Sequence, residues 1–156
     1  YPRPRQLLLC GLKSGTVQAA EFYTQNKLQG PIFNDYDIGS YLIYYLYPAE
    51  KVFVDNRPEA YSVDFFKEMF IPMQQDSTDV SWKKFDEKYN FNTIYFYRHD
   101  QTPYGQPFLI RRVRDPEWIP IYVDNYTVIM LRNKETNASL IKQYALDKSI
   151  FESVPN

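Results

Sequence analysis

Carboxylates and an arginine are concentrated in two short stretches of the sequence. Residues 33–42 read Phe-Asn-Asp-Tyr-Asp-Ile-Gly-Ser-Tyr-Leu, and residues 52–61 read Val-Phe-Val-Asp-Asn-Arg-Pro-Glu-Ala-Tyr. Carboxylate oxygens are suited to hold a divalent cation, and a guanidinium can hold a phosphate or a carboxylate through two parallel hydrogen bonds. The candidate site residues are Asn34, Asp35, Tyr36, Asp37, Gly39, Tyr41, Asp55 and Arg57.

Both stretches include the point where a predicted strand ends. Residues 31–34 and 51–55 are short and mostly apolar, as expected for strands that are covered on both faces. Ligands of open α/β sheets bind beyond the carboxyl ends of the strands, so the three aspartates could converge there with Arg57. The result would be either a site for a phosphate, a sugar or a divalent cation, or an Asp–Arg network that ties two loops together without a ligand.

The order of predicted elements places these turns in an α/β fold. Helices are predicted near residues 16–28, 39–47, 62–73, 79–89 and 105–114 and after residue 136, with strands at 31–34, 51–55 and 93–97 and a hairpin of residues 118–123 and 126–131. Strands that alternate with helices favour parallel pairing, with helices on both faces. We therefore expect a three-layer α/β sandwich, with a mostly parallel sheet and the C-terminal hairpin as an antiparallel edge.

Local signals mark several helix ends. Ser14 or Thr16, Ser62 and Asp79 are predicted N-caps, because their side-chain oxygens can accept hydrogen bonds from the free N–H groups of a first helical turn. Pro72 is expected to kink or end the helix that Ser62 begins.

Composition limits the functional classes. The chain has 156 residues, with 18 Lys and Arg against 19 Asp and Glu, and its formal net charge of −1 predicts no nucleic-acid surface. The length suits a single α/β domain over residues 14–156, and residues 1–13 are interpreted as a linker remnant or edge segment. The longest apolar run, residues 41–47, is far shorter than the roughly 20 residues that span a bilayer. With one cysteine, Cys10, and one histidine, His99, an internal disulfide is excluded, and neither a zinc site nor another cofactor is expected.

Three further features each have two interpretations. Residues 35–37 match the Asp-x-Asp pattern by which many nucleotide-sugar transferases hold a cation and a diphosphate, although complete domains of that kind need considerably more chain. His99 follows a predicted strand and is either an acid–base group or a surface histidine. Arg111, Arg112 and Arg114 either contact lipid headgroups or a pyrophosphate, or form a solvated helix face.

The two acidic stretches together resemble the signature of soluble C-terminal domains on polytopic membrane proteins that are similar to GT-C glycosyltransferases. The pattern there is roughly Phe-Asn-x-Tyr-x-x-Gly-Gly-Tyr-Leu and then Val-Phe-Ile-Asp-Gly-Arg-x-x-x-Tyr. Ser40 and Asn56 stand here in place of two glycines, and both residues are compatible with the same turns. The resemblance covers most of residues 14–132. A remoter likeness, to the Trp-Trp-Asp-Tyr-Gly segment of oligosaccharyltransferase catalytic subunits, lacks both tryptophans and implies no acceptor-peptide recognition.

The resemblance implies an extracytoplasmic domain that is tethered to a membrane by an upstream transmembrane region. The start at Tyr1 is accordingly interpreted as a cut inside a longer protein or a processed terminus. The transmembrane part would hold the catalytic carboxylates and the lipid-linked sugar, and this chain would be non-catalytic, covering the membrane site or aiding acceptor binding. The alternative is a free-standing α/β module that binds a sugar, a phosphate or a divalent cation at the corner of Asp35, Asp37 and Asp55.

Overall fold

The computed structural model describes residues 15–55 and 57–152, which form a mixed α/β fold around a four-stranded mixed sheet. The strands are β1 (Ile32–Asn34), β2 (Thr93–Tyr97), β3 (Trp118–Val123) and β4 (Thr127–Arg132). The helices are α1 (Val17–Gln25), α2 (Gly39–Leu46), α3 (Val63–Phe65), α4 (Ile71–Gln75), α5 (Val80–Tyr89), α6 (Gly105–Arg114) and α7 (Ala138–Tyr144). A π-helical segment, Phe66–Phe70, joins α3 to α4, and short 3-10 segments lie at Pro58–Ala60, Glu135–Asn137 and Lys148–Phe151.

The strand order in the sheet is β1-β2-β4-β3. β1 lies parallel to β2, with Ile32 opposite Thr93, whereas β4 is antiparallel to both β2 and β3. The predicted hairpin therefore forms, with β4 inside the sheet and β3 at its edge. A mostly parallel sheet is not confirmed, because one of the three pairings between the described strands is parallel.

Residues 51–55 do not form the strand that their apolar character predicts. They are held instead by one side chain, since Asn34 Oδ1 accepts from the Phe53 N–H at 2.8 Å and Asn34 Nδ2 donates to the Val54 carbonyl at 2.6 Å. The side-chain amide supplies one acceptor and one donor, the same two groups that a neighbouring backbone would offer. Because residues 51–55 pair with a side chain and not with the backbone of a strand, they do not add the second parallel strand pairing that the predicted topology needed.

Both faces of the sheet are buried. Alternate residues of β2 and β4 point to opposite faces, so Phe96 and Met130 belong to one apolar cluster and Tyr95 and Ile129 to the other. The first cluster includes side chains of α4, α5 and α6 and is rich in aromatic rings around Phe33. The second includes side chains of α1 and α2. The strand ends, and the turns that follow them, are therefore anchored from both sides.

The predicted helix signals are found in part. Ser62 Oγ accepts from the Phe65 N–H at 3.1 Å, which confirms that cap. The predictions for Thr16 and Asp79 are wrong: neither side chain caps its helix, and Asp79 has a left-handed backbone with φ 61° and directs its carboxylate to two arginines. Pro72 lies in the first turn of α4, directly after the π-helical segment, so the helix changes its hydrogen-bonding pattern there and continues.

The linker or edge segment predicted for residues 1–13 and the predicted cap Ser14 lie outside the described residues. Among the helices of residues 15–55 and 57–152, none combines the length and the apolar character needed to cross a membrane.

Candidate functional site

The Asp55 turn, residues 53–55 and 57–61, closes on one buried carboxylate. The Asp55 side chain is 1% exposed. Its Oδ1 atom accepts from the backbone N–H and from the Nε of Arg57, both at 2.9 Å. Its Oδ2 atom accepts from Arg57 Nη2 at 2.7 Å and from the Tyr61 hydroxyl at 2.9 Å. Each oxygen thus accepts two hydrogen bonds, which is the full capacity of a carboxylate oxygen, and the turn itself supplies all of the donors.

The charges of this turn follow from that pairing. Hydrogen bonds from the Arg57 side chain hold the pKa of Asp55 below its ordinary value, against the opposing effect of burial. The Arg57 side chain is 61% exposed, so the ion pair has one buried partner and one solvated partner. Arg57 therefore pairs with Asp55 of its own turn. It does not form the bridge between the two turns that the sequence suggested.

The Asp35 turn, residues 34–39, holds a second buried carboxylate under very different conditions. Asp35 is fully buried, and its Oδ1 atom accepts one hydrogen bond, from the Tyr97 N–H at 2.8 Å. Its Oδ2 atom has no hydrogen-bond partner among the described residues. Burial raises the pKa of Asp35 well above its ordinary value, and the charges of Asp100 and Asp37 raise it further. The buried site therefore disfavours the ionised form of this carboxyl group.

Asp100 belongs to the same neighbourhood, and the sequence analysis did not select it. It follows β2, the parallel neighbour of β1, and is 5% exposed. Its Oδ1 atom accepts from the N–H of Thr102 at 2.8 Å and from the Thr102 hydroxyl at 2.5 Å. A Cβ atom added to Gly105, the first residue of α6, would lie 2.7 Å from the Asp100 carboxyl carbon. The signal in the sequence was its place after a predicted strand, next to His99.

The two turns are brought together by the start of α2. A Cβ atom added to Gly39 would lie 2.1 Å from the Val54 carbonyl oxygen and 2.6 Å from Asp55 Cα, so only glycine allows this approach. Asn34 makes the second link, through its bonds to residues 53 and 54. The structure therefore joins the two predicted stretches through backbone contact and an amide side chain rather than through an Asp–Arg bridge.

The contact of Gly39 and Asn34 with residues 53–55 forms a joint between the two turns. The remaining predicted residues lie at different distances from this joint. Tyr36 is half-buried, and burial followed by the charge of Asp55 raises its pKa. Asp37 is exposed, although partial desolvation and the charge of Asp100 raise its pKa. Tyr41 is buried in the second apolar cluster, where its ring stacks on Tyr45 with the centroids 6.2 Å apart. The structure thus places Tyr41 in the packing of α2, and the other predicted residues around the two turns.

His99 is exposed, and its Nε2 atom lies 2.8 Å from the Asn125 carbonyl oxygen. Its ring also meets the edge of Tyr97, with the centroids 5.8 Å apart. These contacts place it on the surface of the loop that follows β2. They match the interpretation of His99 as a surface histidine.

The arginines of α6 are not a uniformly solvated face, which corrects that expectation. Arg112 is 1% exposed at its side chain and lies over the ring of Trp82, 5.1 Å from the centroid. Both Arg112 and Arg111 bind the carboxylate of Asp79. Arg114 alone of the three is exposed. The left-handed backbone of Asp79 turns its carboxylate toward α6, and this interaction is not visible in a helical pattern of residue types.

The two turns offer few side-chain groups that could bind a ligand or take part in a reaction. No group of three histidine, cysteine or acidic side chains within residues 15–55 and 57–152 is placed to hold a metal ion. Asp55 is saturated by its own turn, and Asp35 is enclosed with one free acceptor. The two turns hold two segments of the chain together, and they contain one buried carboxyl group with a raised pKa, that of Asp35.

Comparison with models of known protein families, with curated proteins and with solved structures found no match to this chain.

Proposed function

We propose that this chain is a non-catalytic, extracytoplasmic α/β domain of a polytopic membrane protein resembling the GT-C glycosyltransferases. Its partner is the transmembrane part of the same polypeptide, and it covers the membrane-embedded site or aids binding of the acceptor or the lipid-linked sugar. The observation that carries this proposal is the saturation of Asp55 by donors of its own turn.

A saturated carboxylate is suited to structure and unsuited to chemistry. A ligand at Asp55 would have to displace Arg57 or Tyr61, and would then face a carboxylate with a lowered pKa, which is a weak base. The residues that carry the resemblance are also the ones that build the joint, namely Asn34, Gly39, Asp55, Arg57 and Tyr61. A signature of this kind is expected in a domain whose task is to keep a fixed shape.

Exposed tyrosines support a position beside a membrane. Tyr44, Tyr45 and Tyr47 are 41%, 37% and 66% exposed, and they lie in the last turn of α2 or directly after it. Tyrosine is enriched where an apolar body and a polar hydroxyl can meet a membrane interface. In the proposed protein this end of α2 faces the transmembrane part or the headgroup region.

The finer architecture belongs to the same proposal. Apolar clusters on the two faces of the sheet, one with α4, α5 and α6 and one with α1 and α2, support a three-layer arrangement. Two covered faces leave the rims and helix surfaces for contact with the rest of the polypeptide.

The test uses the complete gene and the topology of its product. We expect several apolar spans upstream of Tyr1 in the full-length protein. In that protein, with Cys10 and any cysteine outside the given 156 residues replaced by serine, a single cysteine at the exposed position of Lys84 should react with a membrane-impermeant maleimide in intact cells. The matched control carries the cysteine at Trp82, which is 2% exposed and should react only after denaturation. A complete gene without apolar spans, or labelling of position 84 only after lysis, would overturn the proposal.

A second candidate is favoured by one observation, the unpartnered Oδ2 atom of Asp35. Here the chain is a free-standing module that binds a sugar, a phosphate or a divalent cation at the carboxyl ends of β1 and β2, where Asp37 and Asp100 also lie. Calorimetry with Mg²⁺, Mn²⁺ and nucleotide sugars on the native chain and on Asp35→Asn separates the two candidates. Heat that the native chain gives and Asp35→Asn does not would favour the module, and no heat with either protein would remove it.

A further inference from the structure

A cavity of about 380 Å³ lies at the amino-terminal ends of β1 and β2, opposite to the end of β1 that the Asp35 turn follows. It opens between the C-terminal end of α1, the residues that precede β1 and β2, and the segment that leads from β4 to α7. Its polar lining comes from Lys27, Gln29, Asn92, Lys134, Thr136 and Asn137. Neither proposed function uses this cavity.

The lining is positively charged. It includes two lysines and no acidic residue, and neither Lys27 nor Lys134 has an ion pair within the described part of the chain. Glu50 does not line the cavity, and its carboxylate accepts from the Gly30 N–H at 2.8 Å. The lining therefore has two positive side chains and no negative one, and both lysines are exposed.

The polar floor of the cavity is fixed in place by the chain. Asn92 and Asn137 are 5% and 6% exposed. Asn137 Nδ2 donates to Asn92 Oδ1 and to the Arg132 carbonyl, each at 2.8 Å, and Asn92 Nδ2 donates to the Gln29 carbonyl at 2.8 Å. The Asn137 N–H donates to the Lys134 carbonyl at 2.9 Å, which ties the backbone of that lysine to the floor. The floor of the cavity is thus pre-formed, and binding would order mainly the two exposed lysine side chains.

The remaining wall is apolar and consists of Leu28, Leu131 and Leu140. A ligand that fits combines a negative group for the two lysines with an uncharged body for this wall. Lysine acts as a compact point charge with rotatable donors and is a common binder of phosphate groups. The exposed hydroxyl of Thr136 adds one neutral donor at the rim.

We propose that this cavity binds a phosphate group carried on an apolar or sugar body, with Lys27 and Lys134 as its binding residues. Such a group is found both on soluble sugar phosphates and on lipid headgroups. The two sources share their chemistry at the lysines and differ in whether a bilayer must be present. The inference goes beyond the function proposed above and does not depend on it, because the cavity uses none of the residues of the two acidic turns.

The first experiment is a titration of the 156-residue chain with inorganic phosphate and with glycerol 3-phosphate, followed by amide NMR at constant ionic strength. We expect saturable shifts at Gly30, Lys134 and Thr136. The variant Lys27→Asn, Lys134→Gln should bind about tenfold or more weakly, since two charged contacts are lost. Asparagine is chosen at position 27 because Lys27 has a φ of 52°, which asparagine tolerates. The variant's amide spectrum shows directly whether it is folded.

The matched control is Lys83→Gln, Lys84→Gln, which removes the same charge from the exposed face of α5. It should bind phosphate as the native chain does. Equal weakening in both double variants, equal shifts with chloride, or no saturable shift at all would overturn the proposal.

The second experiment identifies the source of the phosphate. Vesicles of phosphatidylglycerol and of phosphatidylcholine are sedimented with the native chain and with both double variants. Binding to phosphatidylglycerol that only the cavity variant loses assigns the site to a lipid headgroup. Binding of the soluble phosphates without such vesicle binding assigns it to a soluble ligand. Either result leaves the topology test of the proposed function unaffected, so that the two proposals fail separately.

Discussion

Asp55 and Asp35 are two fully buried aspartates beside the same joint, and they differ in every other respect. Asp55 accepts four hydrogen bonds, three of them from Arg57 and one from Tyr61. Asp35 accepts one, from Tyr97, and its second oxygen has no partner among the described residues. The pKa of Asp55 is lowered by its partners, and that of Asp35 is raised by burial. Burial alone therefore does not determine what a carboxylate contributes to stability.

The two groups also give stability an opposite dependence on pH. Because the pKa of Asp55 is lower in the folded chain than in the unfolded chain, its contribution is present above the unfolded value of about 3.8 and is lost as pH falls through the folded value. The pKa of Asp35 is higher in the folded chain, so ionisation at neutral pH destabilises the fold, and stability is gained as pH falls toward 3.8. Asp55 therefore stabilises the fold most at neutral pH, whereas Asp35 destabilises it least in mild acid.

The largest expected effect comes from separating the two turns. Gly39→Ala would place a Cβ atom 2.1 Å from the Val54 carbonyl oxygen, against backbone that the Asn34 bonds hold in place. We expect the free energy of unfolding to fall by about 3 kcal/mol or more, measured by urea denaturation.

The control for that variant is Gly30→Ala. The atom nearest to its added Cβ, at 2.5 Å, is Glu50 Oε2, the end of a flexible side chain that can move. A smaller loss is therefore expected. If the two variants lose equal stability, the contact of Gly39 with the Asp55 turn is not the element that fixes the joint.

The next effect tests the saturated carboxylate. Asp55→Ala removes the acceptor for Arg57 and Tyr61, and should lower the free energy of unfolding at pH 7 by about 2–3 kcal/mol. Arg57→Ala should cost clearly less, because that side chain is 61% exposed and its removal lets water reach Asp55 while Tyr61 still donates. Urea denaturation at pH 7 and pH 3 checks both variants, and the Asp55→Ala penalty should shrink at the lower pH. An Arg57→Ala penalty as large as that of Asp55→Ala would contradict the picture of one solvated partner.

Much of the fold could be predicted from periodicity. The residues of β2 and of α6 agree with the predicted ranges 93–97 and 105–114, because β2 is a short continuous run of apolar and aromatic residues and the buried residues of α6 recur at helical spacing. The strand predicted at 51–55 was wrong for a physical reason. Its residues have the apolar character of a strand, but the donor and acceptor beside them are supplied by the side chain of Asn34. Apolar character does not distinguish these two kinds of partner.

For the candidate site, the sequence predicted which two stretches lie close together but not which side chains pair. The two acidic stretches follow apolar segments that meet at one edge, and the close approach of Gly39 to Val54 agrees with that expectation. Which groups would pair was not predictable, because Arg57 turns back to Asp55 within its own turn. Asp100 was missed, since its relevance depends on β2 being the neighbour of β1. Local sequence does not contain that information.

A smaller effect, of opposite sign, is expected at Asp35. Asp35→Asn keeps an acceptor for the Tyr97 N–H and removes a charge that the buried site disfavours. The free energy of unfolding at pH 7 should rise by about 1–2 kcal/mol. The gain should disappear below about pH 4, where the carboxyl group of the native sequence is protonated in the unfolded chain as well as in the folded one. Denaturation at several pH values between 3 and 8 measures this, and a variant that is less stable than the native chain at pH 7 would show that the ionised carboxylate is stabilised by a partner.

The smallest expected effect isolates the charges around Asp35. Asp37 is exposed, and its charge contributes to the raised pKa of Asp35. Asp37→Asn should therefore lower the pKa of Asp35, which NMR titration of the Asp35 carboxyl carbon can follow directly. It should change the free energy of unfolding at pH 7 by less than about 0.5 kcal/mol.

Glu59→Gln is the control for that titration, since it removes an acidic charge from the Asp55 turn that does not act on Asp35. The Asp35 titration should be unchanged in this variant and should move in Asp37→Asn. If both variants move it equally, the two turns form one electrostatic unit, and the contrast between Asp55 and Asp35 arises from their hydrogen bonds alone. If only Asp37→Asn changes the pKa of Asp35, the charge of Glu59 in the Asp55 turn does not affect Asp35. The contact at Gly39 then holds the two turns together without coupling their protonation.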